Sequence, residues 1–119
     1  MTVLRIVADL HADRPRDLAK FYRDLFDLEV AMDMDWIVTL ASDQRMRPQL
    51  TIGSAGGSGE DLPSLSIEVT DVDAVHSRAQ DLGHEIAYAL RDEPWGVRRF
   101  FVRDPAGRKI NVLSHIQES

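Results

Sequence analysis

The residue types best equipped for chemistry in this chain are a carboxylate and an imidazole, Glu68 and His115, each in a segment that alternates in polarity. Along Leu65–Thr70, Leu65, Ile67 and Val69 point one way, while Ser64, Ser66 and Glu68 point the other. Along Lys109–His115, Asn111 shares its side with Lys109, Leu113 and His115, opposite Ile110 and Val112. With both polar sides on one sheet face, Glu68 and His115 can form an acid/base pair or part of a metal site. Arg5, Arg98 and Arg99 are placed to hold an anionic or carbonyl group. Trp95, followed by Gly96, sets a bulky ring on a permissive backbone where it can line a pocket mouth, with Trp36 and Phe101 (or its neighbour Phe100) as further ring surface. His11, His76 and His84 read as solvated, and no His-x-x-x-His helix pair exists. With no cysteine, disulfides, thiolate metal ligands and thiol nucleophiles are excluded.

Those side chains need a scaffold, and 119 residues of ordinary apolar content suffice for one compact domain. The formal charge of -6, from 20 acidic against 14 basic side chains, argues against nucleic acid or an anionic membrane as partner. Met1–Leu10 is too polar for a signal peptide, and no apolar run approaches the roughly 18 residues that span a bilayer. A cytoplasmic protein is expected.

Two segments with matching order provide the scaffold. Val3–Leu10 reads as a strand, Pro15–Phe26 as an amphipathic helix with Asp13 as its cap, Leu28–Met32 as a short strand, and Trp36–Ala41 with Gln49–Gly53 as a hairpin across Ser42–Pro48. After Gly53–Gly59 the order restarts: Leu65–Thr70 as a strand, a helix capped by Asp71 with a stripe of Val72, Val75, Ala79 and Leu82, and Gly83 as its left-handed terminator. Glu85–Leu90 then precedes the hairpin Val97–Arg103 and Lys109–His115 around Asp104-Pro105-Ala106-Gly107. In that turn Asp suits the first position, Pro the second and Gly the fourth. Laying Leu18 on Val75 and Leu25 on Leu82 reveals the repeat. The domain plan is therefore a first βαβββ module over 1–55, a flexible Gly/Ser linker over 56–62 and a second module over 63–119, together one α+β domain. The glycine run lacks both the Gly-Lys-Ser/Thr ending of a phosphate loop and the spacing of a nucleophile elbow.

Three motifs carry a likeness to a known family: Phe21-Tyr22-Arg23-Asp24-Leu25, then Val69-Thr70-Asp71-Val72-Asp73-Ala74-Val75, then Pro94-Trp95-Gly96-Val97-Arg98 running into Asp104-Pro105-Ala106-Gly107. The chain resembles the vicinal oxygen chelate superfamily of glyoxalase I, extradiol dioxygenases, fosfomycin-resistance transferases and bleomycin-resistance proteins. The resemblance implies two βαβββ modules forming a cupped mixed sheet, helices outside, with a ligand cleft. Where the family has Gly after the first helix stands Asp27, which reads as a variant turn.

The resemblance also implies four divalent-metal ligand positions, and they fall near Arg5 (or Ile6), Gln49 (or Thr51), Ser64 and Asn111. Of these only Gln49 could coordinate, weakly, so no metal and no other cofactor is expected. The expected function is metal-independent binding of a small amphipathic molecule, as in the bleomycin-resistance branch, by a homodimer. The ligand-binding set is Arg5, Trp36, Gln49, Ser64, Ser66, Trp95, Arg98, Phe101, Asn111 and Leu113, with Glu68 and His115 the candidate catalytic residues. The alternative is a glyoxalase-related lyase, isomerase or dioxygenase with a rearranged divalent-metal site of Gln49, Glu68 and His115. A non-catalytic module that docks a protein partner is a third possibility.

Overall fold

Ten elements appear in a computed structural model that describes residues 2–26, 28–43 and 49–116. They are β1 (Val3–His11), α1 (Pro15–Phe26), β2 (Glu29–Asp33), β3 (Ile37–Ala41), β4 (Gln49–Gly53), β5 (Leu65–Val69), α2 (Val72–Asp81), β6 (Ile86–Asp92), β7 (Val97–Arg103) and β8 (Lys109–His115). The order βαβββ thus occurs twice. Asp27 and most of the Ser42–Pro48 connection lie outside the described residues.

The chain divides into two compact units, Val7–Leu62 and residues 63–116 together with 2–6. Residues 2–6 therefore belong with the second module's elements, because β1 contributes to both units. In the Val7–Leu62 unit the strand order is β2-β3-β4-β1, with β1 parallel to β4 through Ala8 opposite Leu50 and the other pairs antiparallel. Its core is Ala19 of α1 against Val38, Leu40 and Ile52, with Leu18 and Tyr22 packed on it. The helix opens on Pro15, and its first hydrogen bonds run to the Arg14 carbonyl, one residue beyond the expected cap Asp13. Phe21, Leu25 and Phe26 are exposed: Phe21 lies off the Pro15–Leu18–Ala19–Tyr22 stripe, while Leu25 and Phe26 continue that stripe in the last turn.

In the other unit the order is β1-β5-β8-β7-β6, and β5 runs parallel to β8. Val69, Phe100, Ile110 and Val112 pack under Val72 and Ala79 of α2. Asp71 caps α2 by accepting from the Ala74 amide at 3.1 Å. At the other end the His84 amide donates to the Ala79 carbonyl and the Gly83 amide to that of Gln80, with Gly83 at φ 77°. That pair of bonds is the Schellman stop that a left-handed residue permits. Leu82, expected on the buried stripe, is the exposed C-cap. His76, expected to be solvated, packs its ring edge-on against Phe100 at 4.9 Å.

Two turns explain their sequences. The Asp104 carboxylate accepts from the Ala106 and Arg108 amides at 2.9 and 2.8 Å, and Gly107 at φ 87° donates back to the Asp104 carbonyl. The glycine stretch, expected to be a flexible spacer, folds as a hydrogen-bonded turn: the Gly56 amide reaches the Glu60 carbonyl at 2.7 Å, and the Glu60 amide reaches that of Gly57 at 2.9 Å. Gly56 is buried, since a Cβ there would run into the Asp61 carbonyl. Among the described residues, no helix is long and apolar enough to cross a membrane.

Candidate functional site

In the unit of residues 2–6 and 63–116, register decides which side chains share the sheet face opposite α2. Strand β5 presents Ser66 and Glu68, β8 presents Asn111, Leu113 and His115, and β7 presents Val97, Arg99 and Phe101. Phe100 is under α2, so the inward ring of the pair is Phe101. Arg98 lies on the helix side: its guanidinium bonds Asp73 of α2 at 2.9 Å and Asp92 at 3.1 Å. The expectation that Arg98 joins the ligand-binding set is corrected on this point, because it faces the other way from Arg99.

At one end of this face a carboxylate bridges an arginine and a histidine. Arg5 Nε donates to Glu68 Oε1 at 2.6 Å, and His115 Nδ1 stands 2.8 Å from Glu68 Oε2. The Glu68 side chain is 15 % exposed and that of His115 54 %. Burial opposes ionisation of Glu68, but the hydrogen bonds from His115 and Arg5 outweigh it and hold the carboxyl below its usual range. A carboxylate only accepts, so His115 Nδ1 carries the proton and Nε2 carries the lone pair of the neutral ring. No described residue hydrogen bonds that Nε2. His115 is also not a frayed end: it is paired opposite Val97, and the Ile116 amide donates to the Gly96 carbonyl at 2.9 Å. The Trp95-Gly96 loop is thereby tied to the strand end that carries His115.

Further along the face the polar groups are used internally. Glu93 and Arg99 are each only 4 % exposed and are paired at 3.1 Å. Glu93 also accepts from the Tyr88 hydroxyl and from Arg91 Nε, both at 2.8 Å. The Arg99 guanidinium lies 4.6 Å from the ring centre of Phe101, 4.8 Å from Trp95 and 5.1 Å from Tyr88, a cation enclosed by three rings. Trp95, half-buried, therefore covers an ion pair as well as edging the face. Glu93 and Tyr88 were missed by sequence reasoning. The available signal was an acid and a base at either side of Pro94-Trp95-Gly96, which the tight loop, closed by the Glu93 amide on the Val97 carbonyl at 2.7 Å, brings together. In the row of the face that Phe101 occupies, Asn111 Nδ2 donates to Ser66 Oγ at 3.1 Å, and the buried Asn111 Oδ1 has no hydrogen-bond partner among the described residues. Leu113 is buried beside them. Ser64 is exposed, its amide bonded to the Lys109 carbonyl.

Trp36 and Gln49 belong to the Val7–Leu62 unit. Trp36 lines a shallow depression of about 460 Å³ at the start of α1, with Asp13, Arg16, Asp35 and Ser54 around it. Gln49 pairs opposite Ala41 in the β3–β4 ladder, next to the buried Thr39–Thr51 hydroxyl pair at 2.9 Å.

Residues 5–112 match the sequence profile of the glyoxalase/bleomycin resistance protein/dioxygenase superfamily. The chain belongs to this superfamily. Its doubled βαβββ order is the α+β glyoxalase-like fold. A superfamily member from Vibrio splendidus 12B01 superposes with a TM-score of 0.67 at 20 % identity, over 95 % of this chain and 99 % of that one. A Streptomyces coelicolor methylmalonyl-CoA epimerase variant, solved in complex with 2-nitronate-propionyl-CoA, gives 0.73 at 17 % identity over 98 % and 100 %. A Legionella pneumophila chain described as NAD-dependent benzaldehyde dehydrogenase gives 0.77 at 16 % over 93 % and 99 %. At these identities the likeness concerns the fold. Among curated proteins, none matches the chain.

Glyoxalase-superfamily membership raises the question of whether these residues fit a divalent metal. Arg5 supplies a guanidinium at one expected ligand position, and Ile6, its neighbour in register, an exposed alkyl chain. Asn111 turns its amide nitrogen to Ser66, and both Glu68 oxygens are already bonded, one of them to a cation. Among the described residues no three His, Asp or Glu side chains gather. A cluster in which a cation already neutralises the one carboxylate does not fit a divalent ion.

Proposed function

We propose that this superfamily member binds a small amphipathic organic molecule without a metal, where Arg5, Glu68 and His115 meet the Trp95-Gly96 loop. The observation that carries the reading is the Arg5–Glu68–His115 network. It leaves an imidazole nitrogen open to the ligand's polar end, on a strand end tied to the Trp95-Gly96 loop, whose ring can take the apolar part. An anion-binding role for the arginines is not part of this proposal, because Arg5, Arg98 and Arg99 are each held by a carboxylate of the same unit. Ser66 and Asn111 supply the polar floor, and the unpartnered Asn111 Oδ1 favours a ligand donor. A homodimer in the cytoplasm is part of the same reading. Exposed Leu4, Ile6, Phe21 and Leu25 are apolar surface of the kind a second copy covers, and a cysteine-free chain suits a reducing compartment.

A thermal-shift screen of flat amphipathic compounds, followed by titration on tryptophan fluorescence, tests the binding. A hit should be weakened by roughly 1–3 kcal/mol in Trp95→Ala and again in His115→Gln, and should survive chelator. Hits indifferent to both substitutions would refute the location. Metal above about 0.1 equivalents per chain after metal-replete expression would refute the metal independence. A monomer mass by light scattering would refute the dimer.

A further inference from the structure

We propose that Glu68 and His115 form a proton-transfer dyad, in which His115 Nε2 removes a proton from an activated C–H bond of a flat molecule lying against the Trp95-Gly96 loop. The inference rests on the binding reading for its location and goes beyond it in assigning a reaction class. The geometry is that of an oriented base. Glu68 Oε2, at 2.8 Å from Nδ1, fixes the tautomer and stabilises the positive charge that appears on the ring when Nε2 is protonated. Arg5, bonded to the other carboxylate oxygen at 2.6 Å, pins Glu68 from the neighbouring strand and keeps it anionic. Glu68 is thus a positioning residue and His115 the base. The groups facing Glu68 come from the two flanking strands, Arg5 of β1 and His115 of β8, so the dyad is braced from both sides of β5.

A base of this kind is testable without the natural ligand. With 5-nitrobenzisoxazole as carbon acid, the base takes the ring C3 proton, that C–H electron pair becomes part of the nitrile, the ring N–O bond breaks, and 2-cyano-4-nitrophenolate leaves. The proton passes from the imidazolium to buffer, and no oxidant or co-reactant is needed. Wild-type protein should turn this probe over at least about tenfold faster than an equal concentration of free imidazole. His115→Gln should abolish the excess and His84→Gln should leave it intact. In wild type, ¹⁵N spectra of the imidazole should report hydrogen on Nδ1. Glu68→Gln should lower the rate and release the ring to the other tautomer, a signature that a merely structural role for Glu68 would not produce. Wild type no faster than imidazole, His115→Gln as active as wild type, or hydrogen found on Nε2 of the neutral ring would each overturn the proposal. The tautomer is read on wild type, so it decides even if a variant fails to fold. Failure here leaves the binding reading standing, and an empty ligand screen does not touch the dyad.

Discussion

Replacing Glu93 by alanine is the most exposing perturbation of this structure. Glu93 is buried and accepts three hydrogen bonds, from Tyr88, Arg91 and Arg99. Arg91 is half exposed and recovers water when its partner goes, and the Tyr88 hydroxyl loses its buried acceptor. The dominant loss falls on Arg99, whose enclosed guanidinium loses the Glu93 carboxylate. Removing one partner of a buried pair costs about 3–5 kcal/mol. Three aromatic faces around Arg99 retain part of the cation's stabilisation, at about 0.5–2 kcal/mol for a good contact. The lower end, about 3 kcal/mol, is therefore expected, and a drop in Tm on the order of 10–15 °C for a chain of this size. Urea unfolding of wild type, Glu93→Ala, and the double variant Glu93→Ala with Arg99→Met measures it. The double variant should recover most of the loss, because an apolar side chain in place of the cation no longer needs a partner. A single variant within about 1 kcal/mol of wild type, or a double variant no more stable than the single, would show that the pair is not isolated from solvent as its burial implies.

Glu68 gives a pH test with a defined sign. Its folded-state pKa is lowered from 4.5, so its contribution is present above that value and is lost as pH falls through the lower folded value. The stability gap between wild type and Glu68→Gln should therefore be largest near neutrality and shrink below about pH 4.5; a gap constant with pH would contradict the paired carboxylate. Gly56→Ala should destabilise by roughly 1–3 kcal/mol in the same unfolding assay, because its Cβ meets backbone that cannot move aside as a side chain does. Wild-type stability in that variant would mean that the turn at Gly56–Glu60 opens freely.

Much of the fold was legible along the chain because its causes are local. The Asp104-Pro105-Ala106-Gly107 turn declares itself through residues that serve their own neighbours: the Asp104 carboxylate caps two amides, and Gly107 takes the positive φ. Period-two alternation correctly sorted Ile110 and Val112 from Asn111, Leu113 and His115. It was less reliable on helices, where Leu25 and Leu82 looked buried by spacing and are exposed, since a helix covers only as much sheet as lies beneath it. The glycine run misled because composition reports backbone freedom and not whether close packing requires it. At Gly56 the requirement is space, which no local pattern encodes.

The candidate site divides along the same line. By itself the sequence determined that Glu68 and His115 share a polar face and that Trp95 sits on a tight loop. These follow from alternation, turn chemistry and motif register. Only the tertiary structure decided that Arg5 and His115, 63 and 47 residues from Glu68, grip its two oxygens, and that Arg99 turns inward to Glu93 while Arg98 turns to the helix. The physical reason is that a charged side chain is defined by its partner. Sequence pattern fixes which way it points, but the partner is chosen by strand order and burial, which exist only once the chain has folded.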